Sequence, residues 1–105
     1  MREFSFAENK RSDETCHFTL TGRVSVNEAV YIEQELGKAI EAGCNQIVID
    51  MCLVNLFTSA AIRVILKIHQ KLVNKGGKLQ IQNPSESVRN VIGMTALDEL
   101  LYNGV

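Results

Sequence analysis

The stretch QIVIDMCLVNLFTSAAIRV, residues 46–64, contains the two signals that decide the fold. It opens with a mainly apolar run that ends in Asp50, a pattern typical of a central strand buried on both faces. Near its end, Thr58 and Ser59 precede the apolar spacing of a long helix. Hydroxyl side chains in that position indicate either a helix cap or a place where a phosphate is accepted.

The segment before this stretch predicts a hairpin followed by a helix. Alternating polarity at residues 4–6 and again at 16–21 indicates two short strands, and the polar residues 8–14 indicate the turn between them. Residues 25–28 have the S-x-x-E form of a capping box, which opens a helix. Gly43 is a typical residue for the end of that helix.

The segment after the stretch predicts a further strand and more helices. Residues 51–57 read as a connection from the central strand to a helix that stops at Gly76. Residues 78–82 alternate in polarity and predict another strand. Two further helices are expected, a short one ending near Gly93 and a last one over residues 95–101 that opens with a second capping-box pattern.

The resulting order, β-β-α-β-α-β-α-α, predicts an α/β fold in which residues 1–105 form a single domain. Two βαβ units imply parallel strands joined by right-handed crossovers, and the opening hairpin adds antiparallel pairing. We therefore expect a mixed sheet of about four to five strands, with about four helices packed on it.

Composition and charge exclude several classes of function. The 105 residues are 46% hydrophobic and 22% charged, with a formal net charge of −1. Nucleic-acid-binding proteins usually carry a basic face, so neither DNA nor RNA is an expected partner. No segment has the length and apolar character of a secretory signal or a membrane span, so direct membrane insertion is not expected.

The cysteines and the missing glycine motifs bear on cofactors and on compartment. Cys16, Cys44 and Cys52 have no metal-ligand spacing, and we expect small, reduced core residues rather than a metal or redox site. Reduced cysteines predict a cytoplasmic protein. No cofactor is expected, because neither a phosphate-binding glycine loop nor a dinucleotide fingerprint occurs.

Two enzymatic interpretations meet obstacles in the sequence. A Ser-His-Asp triad would need Ser59, His69 and Asp50, but His69 lies far along the helix that Ser59 opens. An acid at the end of a central strand is also a feature of response-regulator receiver domains, but their acidic cluster and strand-end lysine are missing. We therefore expect no enzymatic activity and interpret Asp50 as a solvated strand end or a cap of the following loop.

The order of elements and several segments resemble a STAS domain, in particular the bacterial anti-sigma-factor antagonists. In that family an apolar strand ending in Asp precedes D-S-S-G-L at a helix start, and here residues 58–62 read TSAAI. The family's early L-x-G-E-L-D resembles LTGRVS at residues 20–25, and its Gly-Gly before a strand resembles GGKL at 76–79. Its late pattern of Val followed by [ST]-G-L resembles residues 88–97.

This resemblance implies a phosphorylation site and a partner. Ser59 falls on the serine that the family's kinase-type anti-sigma factors phosphorylate, with Thr58 as the alternative acceptor. The unmodified antagonist would capture the kinase and free a sigma factor, and the phosphorylated form would let go. The candidate partner-binding residues are Arg23, Ser25, Leu56, Phe57, Thr58, Ala60, Ile62 and Arg63.

Several alternatives stay open for these residues. Leu56, Phe57 and Ile62 are equally good core residues, and Arg63 would pair with a phosphate on Ser59, pair with an acidic partner, or simply be solvated. Without phosphorylation, Thr58 or Ser59 would be a helix cap worth about 1 kcal/mol.

Departures from the family motif keep other roles open. Thr58 replaces the motif's Asp, Ala60 its second Ser and Ala61 its Gly, and Arg23 and Ser25 replace acids in the early segment. The main alternative is an unphosphorylated STAS scaffold subunit in a stressosome-like assembly or a lipid-transport ABC complex. A small hydrolase that depends on the serine, and nucleotide binding without catalysis, are lesser alternatives.

Overall fold

A four-stranded sheet in the order β1-β2-β3-β4 forms the centre of the computed structural model, which describes residues 3–95 and side chains as far as Gly93. The strands and helices are β1 (Ser5–Ser12), β2 (Thr15–Val24), α1 (Val26–Glu41), β3 (Gln46–Phe57), α2 (Ser59–Asn74), β4 (Lys78–Gln82) and α3 (Glu86–Thr95). The predicted α/β class and mixed sheet are confirmed. Apart from Thr95, which ends α3, the last helix predicted at 95–101 lies outside the described residues.

Strand pairing explains how the helices are arranged. β1 and β2 are antiparallel, whereas β2, β3 and β4 are parallel neighbours. The helices that connect the parallel strands, α1 and α2, contact each other. Since each helix leads from the end of one parallel strand back to the start of the next, α1 and α2 run in the same direction. Their amino ends therefore lie at the same edge of the sheet.

The hydrophobic core follows the predicted periodicity. Every second residue of β2 is buried, and the run Ile47, Val48 and Ile49 in β3 is no more than 6% exposed, as expected for a strand covered on both faces. α1 and α2 each bury one apolar stripe against the sheet. The capping box predicted at the start of α1 is present, with the Glu28 carboxylate accepting from the backbone N–H of Ser25 at 3.1 Å.

Two predicted boundaries were wrong. The residues expected to form the first turn mostly belong to β1, which continues to Ser12 and contains a register shift between Glu8 and Lys10. The expected connection at residues 51–57 is strand, because β2 is long enough to pair with β3 as far as Phe57. That half of β3 is mainly apolar and does not alternate in polarity, so its sequence alone did not indicate a strand.

The loop before α3 and the start of that helix contact the part of β3 that extends beyond β4. The backbone N–H of Ser85 donates to the carbonyl of Met51 at 3.2 Å, and the Ser87 hydroxyl donates to the carbonyl of Asn55 at 3.1 Å. These bonds satisfy carbonyl groups of β3 that β4 does not reach. The β3 extension is thereby held in place up to the point where α2 begins.

Gly22 in β2 is required by a close approach of the chain. Its φ is +90°, and an added Cβ would lie 2.5 Å from the carbonyl oxygen of Glu3. Both the backbone conformation and the contact exclude a larger residue without movement of the amino-terminal segment.

The expectation that all three cysteines are reduced was wrong. Cys16 and Cys44 form a disulfide, with their Cα atoms 6.0 Å apart. Cys16 pairs with Ile47 across β2 and β3, and Cys44 lies just before β3, so strand pairing brings the two residues together. Both are almost completely buried. Cys52 is exposed and lies outside the disulfide.

Candidate functional site

Thr58 anchors the start of α2 to the end of β2. Its backbone N–H and its hydroxyl both donate to the carbonyl of Val24, at 3.3 and 2.9 Å. Thr58 occupies the N-cap position of α2, but its side chain makes no cap hydrogen bond to the helix. The hydroxyl is therefore engaged in a link between β2 and α2, and it is not presented to solvent as Ser59 is.

Ser59, the first residue of α2, is exposed. Within residues 3–95 its hydroxyl has no hydrogen-bond partner, and no acid lies in the first turn of α2. The first backbone N–H groups of a helix lack partners inside the helix, and here the N-cap side chain does not supply one. This end of α2 thus has an accessible hydroxyl next to N–H donors and the positive end of the helix dipole.

Basic side chains contribute to the charge of the corner formed by Val24, Thr58 and Ser59, where the end of β2 meets the start of α2. Arg63 is exposed and lies four residues after Ser59, so the two side chains are on the same side of α2. Arg23 is also exposed, and Leu56 is its neighbour across β2 and β3. In the described part of the chain neither arginine belongs to an ion pair. A negatively charged group here would meet the positive charge of Arg63.

The capping box of α1 lies beside this corner. The pKa of Glu28 lies below its ordinary value. A hydrogen bond from the Ser25 hydroxyl lowers it most, and bonds from backbone N–H groups at the start of α1 and the nearby Arg23 guanidinium lower it further, whereas slight desolvation raises it. Glu28 is therefore ionised at neutral pH, and its carboxylate is hydrogen-bonded at the start of its own helix. Ser25 is half-buried and held by the same contacts.

The predicted partner-binding residues divide into surface and core. Phe57 and Ile62 are only 4% and 5% exposed and belong to the hydrophobic core, so they cannot contribute to an accessible surface. Leu56 and Ala60 are half-buried near Ser59. Together with the exposed arginines and the half-buried Ser25 and Thr58, these residues form the accessible part of the predicted surface.

Asp50 lies inside β3, which continues to Phe57, so its interpretation as a strand end or as the cap of a following loop was wrong. One carboxylate oxygen accepts from the backbone N–H of Cys52 and the other from the side-chain amide of Asn83, each at 3.0 Å. Partial burial raises the pKa of Asp50, but the hydrogen bonds from Cys52 and Asn83 outweigh it and hold the pKa below its ordinary value. The carboxylate joins β3 to the loop after β4.

The hydrolase triad does not form. His69 accepts a hydrogen bond from the backbone N–H of Leu79 through Nδ1, at 3.0 Å, and so caps the free edge of β4. Asp50 is committed to Cys52 and Asn83. Neither side chain is available to Ser59, and their partners place them in separate parts of the sheet.

Two other features of the described chain resemble ligand sites. A groove of about 440 Å³ lies between α1 and α2, but at their carboxyl ends, where helix dipoles disfavour a phosphate; it is lined by Gly37, Ile40, Glu41, Lys71, Asn74 and Lys75. The Glu8 carboxylate lies beside Cys16 and Cys44. As disulfide sulfurs these two atoms lack the thiolate charge that a metal ion needs.

Sequence reasoning missed the contacts that define the corner. The link from Thr58 to Val24 depends on how far β2 extends alongside β3, which periodicity did not reveal. The disulfide depends on the same pairing, because Cys16 and Cys44 are far apart in sequence. Only the apolar character of β2 and β3 indicated that these two strands would lie side by side.

Comparison with known proteins identifies the family. The STAS domain model matches residues 7–104, and the chain belongs to the STAS domain family. No curated protein matched the sequence. None of the described helices is long and apolar enough to cross a membrane.

Solved structures with the same fold include anti-sigma factor antagonists. SpoIIAA in its unphosphorylated form has a TM-score of 0.85 and 20% identity, covering 96% of this chain and 89% of that one. Bacillus SpoIIAA in the phosphorylated form gives 0.79 and 18%, covering 96% and 92%. An antagonist from Mycobacterium paratuberculosis gives 0.80 and 21%, covering 96% and 88%. At these identities the likeness establishes the fold.

Proposed function

We propose that this protein is an anti-sigma-factor antagonist that binds a kinase-type anti-sigma factor in the cytoplasm and is released when Ser59 is phosphorylated. The observation that carries the proposal is the exposed Ser59 hydroxyl at the start of α2, one turn from Arg63, which forms no ion pair with the residues that the structure describes. SpoIIAA, which shares the fold, has been solved in an unphosphorylated and a phosphorylated form, which supports the proposal.

The chemistry of the modification belongs to the partner. The Ser59 oxygen would attack the terminal phosphoryl group of ATP, forming the serine–phosphorus bond as the bond to ADP breaks, while the hydroxyl proton leaves to a base of the kinase. The antagonist supplies the nucleophile and its surroundings. No catalytic residue of its own is assigned.

The surroundings of Ser59 explain how a phosphate could be accepted without loss of the fold. It would add about −1.5 to −2 charges, which the α2 N–H groups and Arg63 favour. Exposed interactions of this type contribute about 0.3–1 kcal/mol each. A partner docked over the same corner would meet the added charge and bulk at its interface. A retained fold with a lost interface is what a switch requires.

The two hydroxyls at this corner differ in a way that favours Ser59 as the acceptor. The Thr58 hydroxyl donates to the Val24 carbonyl, so phosphorylating it would break the link between β2 and α2. The Ser59 hydroxyl has no such bond within the described residues. Phosphorylation of Ser59 would therefore disturb the fold less than phosphorylation of Thr58.

A cytoplasmic location must accommodate the Cys16–Cys44 disulfide, since cytoplasmic thiols usually keep cysteines reduced. Thiol–disulfide exchange requires access to a sulfur atom, and these two residues are at most 3% exposed. Burial would protect the bond from small thiols as long as the native state persists.

A second role, an unphosphorylated scaffold subunit, is favoured by the substituted motif. Thr58 takes the place of an acid and uses its hydroxyl for a structural bond, a contact that an acidic residue could not donate. In that role the corner around Ser59 would still be a contact surface, but a permanent one.

Phosphorylation by the partner tests the proposal. The purified chain is incubated with the host's kinase-type anti-sigma factor and ATP, with Ser59→Ala and Thr58→Val variants as matched controls. We expect one phosphate per chain in the wild type and in Thr58→Val, none in Ser59→Ala, and loss of kinase binding after modification. Equal labelling of Ser59→Ala would contradict the proposal, and tight binding without labelling would support the scaffold role.

A further inference from the structure

Two exposed valines lie on α1 close to the corner of Ser59. Val26 is 63% exposed and Val30 is 50% exposed. They are four residues apart, so they lie one turn apart on the same side of the helix. Single exposed apolar side chains are common on proteins, so the position of this pair decides whether it matters.

Two contacts show how α1 and α2 lie side by side. Near the amino ends of the helices, the Thr58 hydroxyl donates to the carbonyl of Val24 at 2.9 Å. Further along, Lys67 Nζ forms an ion pair with Glu33 Oε2 at 2.6 Å. The chain between Val24 and Glu33 has the same number of residues as that between Thr58 and Lys67. The two parallel helices are therefore in register between these contacts.

This register places the valines against the first turns of α2. Val26 lies at the level of Ala60, and Val30 lies one turn further along, at the level of Val64 and its neighbour Arg63. Ala60 is half-buried and lies two turns before the lysine of the ion pair, on the side of α2 that faces α1. Val26, Val30 and Ala60 thus form one apolar surface, the valine face, bordered by Ser59 and Arg63.

On the side of α2, the border of the valine face is positively charged. Arg63 is exposed and belongs to no ion pair in the described chain, and the first turn of α2 contains no acid. The amino end of α2 adds the positive end of its dipole. A partner that matches this surface would present apolar side chains next to a carboxylate.

We propose that the valine face is the docking surface for the kinase-type anti-sigma factor, which contributes apolar side chains and an acidic group facing Arg63. This proposal rests on the proposed function and names the chemistry of its partner. It also gives the switch a physical basis. A phosphate on Ser59 would put charge at the edge of an apolar contact and would compete with the partner's carboxylate for Arg63.

Binding of the kinase-type anti-sigma factor to surface variants tests the proposal. The Kd is measured by titration calorimetry for the wild type, for Val26→Ser/Val30→Ser and for Arg63→Gln. The matched control is Val73→Ser, which changes another exposed valine, 45% exposed, near the carboxyl end of α2. Valine and serine have similar helix propensities, so thermal unfolding of all variants should resemble that of the wild type.

We expect Val26→Ser/Val30→Ser to raise the Kd by about tenfold or more, and Arg63→Gln to raise it and weaken its dependence on salt. Val73→Ser should bind like the wild type. If the wild type binds and Val26→Ser/Val30→Ser binds equally well, the valine face is not the docking surface, although the proposed function stands. If the wild type does not bind, both proposals fail.

Discussion

Removing each of the two adjacent hydroxyls at the start of α2 should change the free energy of unfolding by different amounts. Thr58→Val removes the hydroxyl bond to the Val24 carbonyl while keeping the size and β-branching of the side chain. Ser59→Ala removes a hydroxyl that is exposed and without a partner in the described structure. A stability measurement on both variants therefore separates a structural hydroxyl from an available one.

The expected magnitudes follow from the contacts. A partly buried neutral hydrogen bond contributes about 0.5–1.5 kcal/mol, and the Val24 carbonyl keeps its second donor, the Thr58 backbone N–H at 3.3 Å. We therefore expect Thr58→Val to lower the free energy of unfolding by about 1 kcal/mol. Ser59→Ala should change it by less than about 0.5 kcal/mol, because an exposed position with better helix propensity loses no contact.

Urea unfolding followed by circular dichroism measures both differences, with the m-value checked for constancy. The reasoning would be refuted by a loss of 1 kcal/mol or more in Ser59→Ala, which would make Ser59 the structural hydroxyl. A neutral Thr58→Val would likewise show that the bond to Val24 does not hold α2 in place.

Three further predictions concern the stability and the covalent structure of the fold. Gly22→Ala should lower the free energy of unfolding in urea by about 3 kcal/mol or more, because its Cβ would meet a backbone carbonyl at a positive φ. Gly37→Ala, with open space around it in α1, should raise the free energy of unfolding by about 0.5–1 kcal/mol. Similar effects of the two substitutions would contradict this reasoning. Asp50 has a lowered pKa, so its contribution to stability is present above the pKa of the unfolded chain, about 3.9, and is lost as the pH falls through the folded value. Asp50→Asn should therefore be less stable than the wild type at pH 7, and the difference in the free energy of unfolding should narrow in acid. A difference independent of pH would refute this. Alkylation of the denatured, unreduced chain should modify one cysteine, and reduction should expose Cys16 and Cys44 as well; modification of all three before reduction would disprove the disulfide.

Local signals predicted most of the fold because they are complete within short segments. The capping box at Ser25 and Glu28 and the apolar run before Asp50 each specify their own element. The two boundary errors arose where a strand is defined by its partner. Residues 51–57 alternate poorly, and only the length of β2 shows that they are strand.

The candidate site was predictable in position but not in detail. The motif around Ser59 located the corner, and the sequence could not tell which hydroxyl is engaged, because the bond to Val24 joins residues distant in the chain. The same limit applies to the valine face. Val26 and Val30 read as ordinary helix residues until the pairing of α1 with α2 places them beside Ser59.

Phosphate mapping on the native protein tests the central claim most directly. The untagged chain is purified from its host under several growth and stress conditions, and the peptide containing Thr58 and Ser59 is analysed by mass spectrometry. The account predicts a fraction that carries one phosphate on Ser59 and none on Thr58. A chain unmodified in every condition, or modified on Thr58 alone, would contradict it.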